Sequence, residues 1–129
     1  MKKYLVIGNP IEHSLSPKLH NYWFEKNNID ANYDRKKIDK SEIQEIISEI
    51  REGKLDGIND TVPFKSDVIP FLDTLSKESQ ITQSVNTIYK QDKKLIGHNT
   101  DIKGFELSLK ETQFNLENKT IFILGAGGV

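Results

Sequence analysis

At 129 residues with 36% apolar content, the chain fits a soluble domain with one core rather than a disordered or membrane-embedded class. Eighteen basic against 19 acidic residues leave a formal charge of −1, which gives no electrostatic footprint for nucleic acid or an anionic membrane and favours small-molecule chemistry. With no cysteines, disulfide scaffolds and thiolate-metal sites are excluded, and a cytoplasmic setting is expected.

Tyr4-Leu5-Val6-Ile7 is a short apolar run broken by Gly8-Asn9-Pro10, too short for a signal sequence and readable as a strand buried on both faces. Ser16-Pro17 then predicts an N-cap followed by proline at the first helical position, with Leu19, Tyr22 and Trp23 as the buried stripe. Ser14 and Ser16 bring two hydroxyls to that helix N-terminus, where a carboxylate would fit, although Ser16 acting only as a cap accounts for the same residues. His13 has no second ligand in view, so no metal site is read. Residues 31–36 suggest an edge strand. Ser41 with Gln44 predicts a capping box, Ile43, Ile46, Ile47 and Ile50 a buried helix face, and Gly53 the helix stop.

The stretch Gly57-Ile58-Asn59-Asp60-Thr61-Val62-Pro63-Phe64-Lys65 predicts a strand on which Asn59 and Thr61, two apart, share a face. Pro63 ends it and is expected to set Lys65 at a strand-to-helix junction, where open α/β sheets bind ligands. An edge strand followed by a solvated lysine would read the same way. Val68, Ile69, Phe71, Leu72 and Leu75 suggest a helix interrupted by Pro70. Residues 84–89 and 95–99, around Gln91-Asp92-Lys93, form a predicted β-hairpin in which Asn86 is a polar residue bound either to backbone or to a ligand. Asn99-Thr100-Asp101 opens a helix carrying Ile102, Phe105 and Leu109, with Thr100 or Asp101 as its cap. After a polar connector, the apolar residues 120–124 run into Gly125-Ala126-Gly127-Gly128-Val129, the way a dinucleotide-binding βαβ unit opens.

Taken with their order and spacing, Gly8-Asn9-Pro10-Ile11-Glu12-His13-Ser14-Leu15-Ser16-Pro17, the Gly57-to-Lys65 stretch, Ser84-Val85-Asn86-Thr87-Ile88, Asn99-Thr100-Asp101 and the closing glycines resemble shikimate dehydrogenase. The resemblance implies an α/β fold: a three-layer substrate-binding domain with a mostly parallel sheet, followed by the first strand of a truncated Rossmann-type domain. It divides the chain into a shikimate-binding catalytic domain (1–101), a connecting helix and linker (102–119) and the opening of an NADP-binding domain (120–129). The implied activity is NADP-dependent reduction of 3-dehydroshikimate to shikimate in aromatic amino-acid biosynthesis. By the same resemblance Ser14 and Ser16 hold the substrate carboxylate, Asn59, Thr61, Asn86 and Asp101 hold ring hydroxyls, Lys65 and Asp101 form the catalytic pair, and Gly125, Ala126, Gly127, Gly128 and Val129 meet the cofactor. A ring acid with several hydroxyls needs such an anion cradle and such short donors and acceptors.

Three departures stand out against the family pattern. Asp60 occupies an expected apolar position and should point away from the ligand face, Gln83-Ser84 replaces small Gly-Ala, and Ile102 follows Asp101 where glycine is usual. The expected chain is a fragment that does not turn over by itself, with residues 120–124 as an unpaired apolar strand. Quinate/shikimate dehydrogenase and a non-catalytic substrate-binding remnant are the rival readings. A small-molecule substrate is expected, with no nucleic-acid or membrane partner, and a homodimer is compatible with the sequence.

Overall fold

A computed structural model describes residues 1–125. Its first strand, β1 (Lys2–Gly8), lies inside a six-stranded sheet between β2 (Ala31–Lys37) and β3 (Gly57–Asp60), parallel to both. Beyond β3 come β5 (Thr87–Gln91), β6 (Lys94–His98) and the two-residue β4 (Thr74–Leu75), in the order β2-β1-β3-β5-β6-β4. β3 and β6 are both antiparallel to β5, and β4 is parallel to β6, so β5 alone runs against the other strands.

The period-two alternation of β1 decides which helix covers which face. Tyr4 and Val6 pack with Ile11, Tyr33 and Phe24, the last on α1 (Ser16–Lys26). Leu5 and Ile7 pack on the other side, with Ile43, Ile46, Ile47 and Ile50 of α2 (Ile43–Arg51). Helices on both faces of a mostly parallel sheet give the expected three layers. Burying four isoleucines contributes about 1.5–3 kcal/mol each, so this second face is the stronger half of the core. Among the described residues, no helix is long and apolar enough to cross a membrane.

Several local expectations are revised. The inner face of α1 is not Leu19, Tyr22 and Trp23, which are exposed (Trp23 by 47%), but the partly buried Pro17, His20, Asn21 and Phe24. The cause is polar work on that face: Asn21 donates from Nδ2 to the Tyr33 carbonyl at 2.8 Å and accepts from the Tyr33 N–H at 2.9 Å, clamping the helix to β2. Ser16 is the first helical residue rather than the cap, and its N–H donates to Ser14 Oγ at 3.3 Å. The capping-box geometry falls two residues earlier than Ser41, where Asp39 N–H donates to Glu42 Oε2 at 2.7 Å and opens a 3-10 turn ahead of α2. Gly53, at φ 79°, is the predicted stop.

After β3 no helix begins at Pro63. Residues 61–68 form a chain of turns held by Phe64 N–H to the Thr61 carbonyl (2.9 Å) and Val68 N–H to the Phe64 carbonyl (3.1 Å). Pro70 then sits in a 3-10 turn (Ile69–Phe71) where a longer helix was expected, because proline supplies no N–H to extend it. β4 and the short helix α3 (Lys77–Thr82), capped by Ser76 Oγ accepting from Ser79 N–H, follow. The hairpin turns tightly, with Asp92 and Lys93 both at positive φ between the paired Gln91 and Lys94. α4 (Asp101–Glu111) is present and buries no residue. Residues 120–124 join none of the six strands and are exposed, Leu124 by 98%. A lone strand cannot satisfy its backbone without a neighbour.

Candidate active site

The strands β1 and β3 end side by side, and two adjoining hollows of about 270 and 510 Å³ open there, sharing Val6, Ser16 and Thr61. Ser14 and Ser16 line the smaller one. Asn59, Thr61, Lys65, Asn86 and Asp101 line the larger. All seven predicted substrate-site residues therefore reach one continuous cleft, drawn from four separate segments of sequence. Gly8 lets the walls close: a Cβ there would lie 2.7 Å from Thr61 Cγ2.

Lys65 reaches this cleft from the turn after β3. Its carbonyl accepts from Val85 N–H at 2.7 Å, the flanking Phe64 and Val68 are buried in the core, and the lysine itself is only 9% exposed. Its Nζ donates to Asp101 Oδ2 at 2.7 Å. The Asp101 side chain is 43% exposed, so solvent screens the pair and it adds no more than about 1 kcal/mol to stability.

The amides are tied down by one another. Asn59 donates from Nδ2 to the Asn86 carbonyl (3.0 Å) and to Thr87 Oγ1 (2.9 Å), and its Oδ1 accepts from the Tyr33 hydroxyl at 2.6 Å. Asn86 accepts at Oδ1 from the Thr100 N–H (3.0 Å) and the Thr87 hydroxyl (3.1 Å) and donates to Thr100 Oγ1 at 2.7 Å. Of the two alternatives for Asn86, the backbone bond is present, and the residue also lines the cleft. Thr100 holds the N-cap position of α4, as expected, but without a side-chain capping bond; that bond comes from the buried Asn99, whose Oδ1 accepts from the N–H groups of Asp101 (2.9 Å) and Ile102 (3.3 Å). That bond fixes the backbone from which Asp101 faces Lys65.

Three contributors escape a reading of the sequence alone. Tyr33 orients Asn59, Asn99 orients Asp101, and His20 lines the cleft while stacking on Tyr33 with ring centroids 4.3 Å apart. His20 stands four residues after Ser16, one helical turn along the same face, which is a usable signal. Nothing local marks Tyr33. Burial raises the pKa of the Tyr33 hydroxyl, with Ser16 opposing, so it stays a donor. Burial lowers that of His20 and keeps the ring neutral. Gly125 has φ 103°, a backbone that glycine adopts without strain, and is exposed; Ala126, Gly127, Gly128 and Val129 lie outside the described residues.

Residues 6–88 match the family model described as the shikimate dehydrogenase substrate binding domain. The chain is 62% identical over 128 residues to a shikimate dehydrogenase (NADP(+)) of Pelagibacter ubique (strain HTCC1062), covering 99% of this chain and 48% of that protein. A crystal structure of shikimate dehydrogenase 1 from Peptoclostridium difficile superposes with a TM-score of 0.92 at 34% identity, over 99% of this chain and 47% of that one. The Thermus thermophilus enzyme in complex with shikimate gives 0.91 at 33% identity, over 99% and 49%. The chain thus spans about half the length of the relatives it matches. With the match covering well over half of its residues, it belongs to the shikimate dehydrogenase substrate-binding-domain family.

Proposed function

We propose that this chain is the substrate-binding half of an NADP-dependent shikimate dehydrogenase that reduces 3-dehydroshikimate to shikimate. The observation that carries the reading is the 2.7 Å Lys65–Asp101 pair at the edge of a cleft whose far end presents Ser14 and Ser16. In this reading residues 1–101 bind the substrate, 102–119 connect, and 120–129 begin a nucleotide-binding domain. The absence of cysteines supports a cytoplasmic setting.

The hydrogen-bond inventory says how a ring acid would be read. Asn59 spends both N–H groups inside the protein, so what it offers a ligand is the second lone pair of Oδ1, an acceptor for a hydroxyl. Asn86 uses one N–H on Thr100 and keeps the other as a donor. Ser14 and Ser16 add hydroxyls beside the first N–H groups of α1, which favour a carboxylate. The Lys65 ammonium stabilises negative charge developing on the carbonyl oxygen and hands over a proton, while Asp101 holds the amine in place and accepts from a neighbouring hydroxyl. Acid–base help of this kind is worth about 10²- to 10⁴-fold in rate. Bound NADPH would supply the hydride, and the left-handed backbone of Gly125 suits a turn that meets its phosphates.

Titration of shikimate into the chain, followed by amide NMR, tests the reading. Saturable shifts at Ser16, Asn86 and Asp101 support it; an unperturbed spectrum at millimolar shikimate rejects it.

A further inference from the structure

Asp60 ends β3 with 2% exposure, and neither of its carboxyl oxygens has a hydrogen-bond partner. Parallel register sets it opposite Ile7, on the side of the sheet covered by the isoleucines of α2, while Asn59 and Thr61 on either side of it serve the cleft. A carboxylate is costly to charge in such surroundings. Yet Asp60 also contributes to the cleft wall that carries Lys65 and Asp101, and those two charges are the ones that bear on it. Of the other elements around it, β1 offers Ile7 and Gly8, β5 and the segment before it offer Thr87 and Asn86, and α1 brings His20 to the same cleft. Burial holds the acid's pKa well above the ordinary carboxylate value; the Lys65 ammonium opposes that rise and the Asp101 carboxylate adds to it.

The chemistry proposed above uses one amine and one acid, and leaves this third ionisable group without a task. We infer that Asp60 is a positioning residue for Lys65: as a neutral acid it leaves the ammonium to Asp101 at the cleft, and on ionising it draws the ammonium back toward the sheet. The inference rests on the functional reading for the role of Lys65, but the coupling among the three groups exists with or without a ligand. Asp60 lines the same cleft wall as the ammonium that Asp101 holds, so a charge arising on the inner acid bears on the outer pair.

The test follows the side-chain carboxyl carbons and lysine Nζ resonances of the intact chain by NMR from about pH 4 to about pH 10, without shikimate, in the wild type, Asp60→Asn and Asp60→Val. Asp60→Val restores an apolar residue to the core and guards against a variant that fails to fold. The expected wild-type result is an Asp60 carboxyl inflection far above the ordinary range, shared at the same midpoint by Lys65 Nζ and Asp101 Cγ, with the shared inflection lost in both variants. An Asp60 that titrates in the ordinary range, or one that ionises without moving the Lys65 resonance, overturns the inference. Shikimate is then added on each side of the midpoint. A shared inflection with no shikimate binding at either pH upholds the assignment of Asp60 and defeats the functional reading instead.

Discussion

Replacing Tyr33 with phenylalanine removes a single oxygen and tests how the cleft is built. That oxygen is buried and donates at 2.6 Å to Asn59 Oδ1, the atom left to meet a ligand hydroxyl. The phenylalanine ring keeps the packing with Val6 and Ile11 and the stack on His20. What is lost is one hydrogen bond, and a partly buried carbonyl oxygen is left one partner short, a cost of about 1–2 kcal/mol. For a chain of this size that lowers Tm by about 3–6 °C. The Asn59 amide also gains freedom to rotate, so shikimate affinity falls by about threefold to tenfold. Thermal unfolding by circular dichroism reads the first effect, and the shikimate titration with Asn59 side-chain NH₂ resonances reads the second. If Tm stays within a degree of wild type and the Asn59 resonances do not move, the hydroxyl is not orienting the amide and the reasoning fails.

Lys65→Ala, in an enzyme completed by a nucleotide-binding domain, should cut kcat by at least about 10²-fold while changing shikimate affinity little, and steady-state kinetics with retained kcat would remove Lys65 from the chemistry. Asp101→Asn should weaken both turnover and binding, since the same carboxylate orients Lys65 and faces the cleft; unchanged kinetics would take it out of the site. Ile46→Ala empties a fully buried position beneath the sheet and should cost about 2–5 kcal/mol, measured by urea unfolding. The pH dependence of stability provides a further check. Because burial raises the folded-state pKa of Asp60 above its unfolded value, the stability tied to its proton is fully present below the ordinary carboxylate range and is lost as pH rises through the folded value. Wild-type Tm should therefore decline toward higher pH relative to Asp60→Asn, and parallel Tm curves for the two would contradict the burial argument.

The strongest periodic signals in the sequence lead directly to structure. The isoleucine stripe of α2, the apolar run of β1 and the hairpin around Asp92 are each dictated by local patterning that tertiary contacts reinforce. The seven residues proposed for the substrate site reach one cleft because each is a polar residue placed where a strand or helix begins or ends, and those ends meet at one edge of the sheet. Misreadings cluster where polar groups replace apolar ones in internal contacts. The inward face of α1 is disguised because Asn21 and His20 serve Tyr33, leaving Leu19, Tyr22 and Trp23 outside. The Ser16 cap and the Ser41 capping box fall one or two residues from their expected places, and the capping bond of α4 comes from Asn99 rather than from the N-cap residue Thr100, since several adjacent side chains compete for the same N–H groups and only the backbone path selects among them. Asp60 was expected to turn from the ligand face, and its register opposite Ile7 agrees; its charge coupling to Lys65 has no local signature.

The side chain of Asn99 pins the start of α4 to the segment ahead of β5 through the Ser84 carbonyl and the first two helical N–H groups, whereas the remainder of that helix buries nothing. At 1.5 Å per residue, its 11 residues extend about 16 Å from the pin. A tilt of about 10° about that point would carry the far end through about 3 Å and move Asp101 by well under 1 Å. The hold of Asp101 on Lys65 therefore depends on the post at Asn99 and hardly at all on the direction the far end of the helix takes.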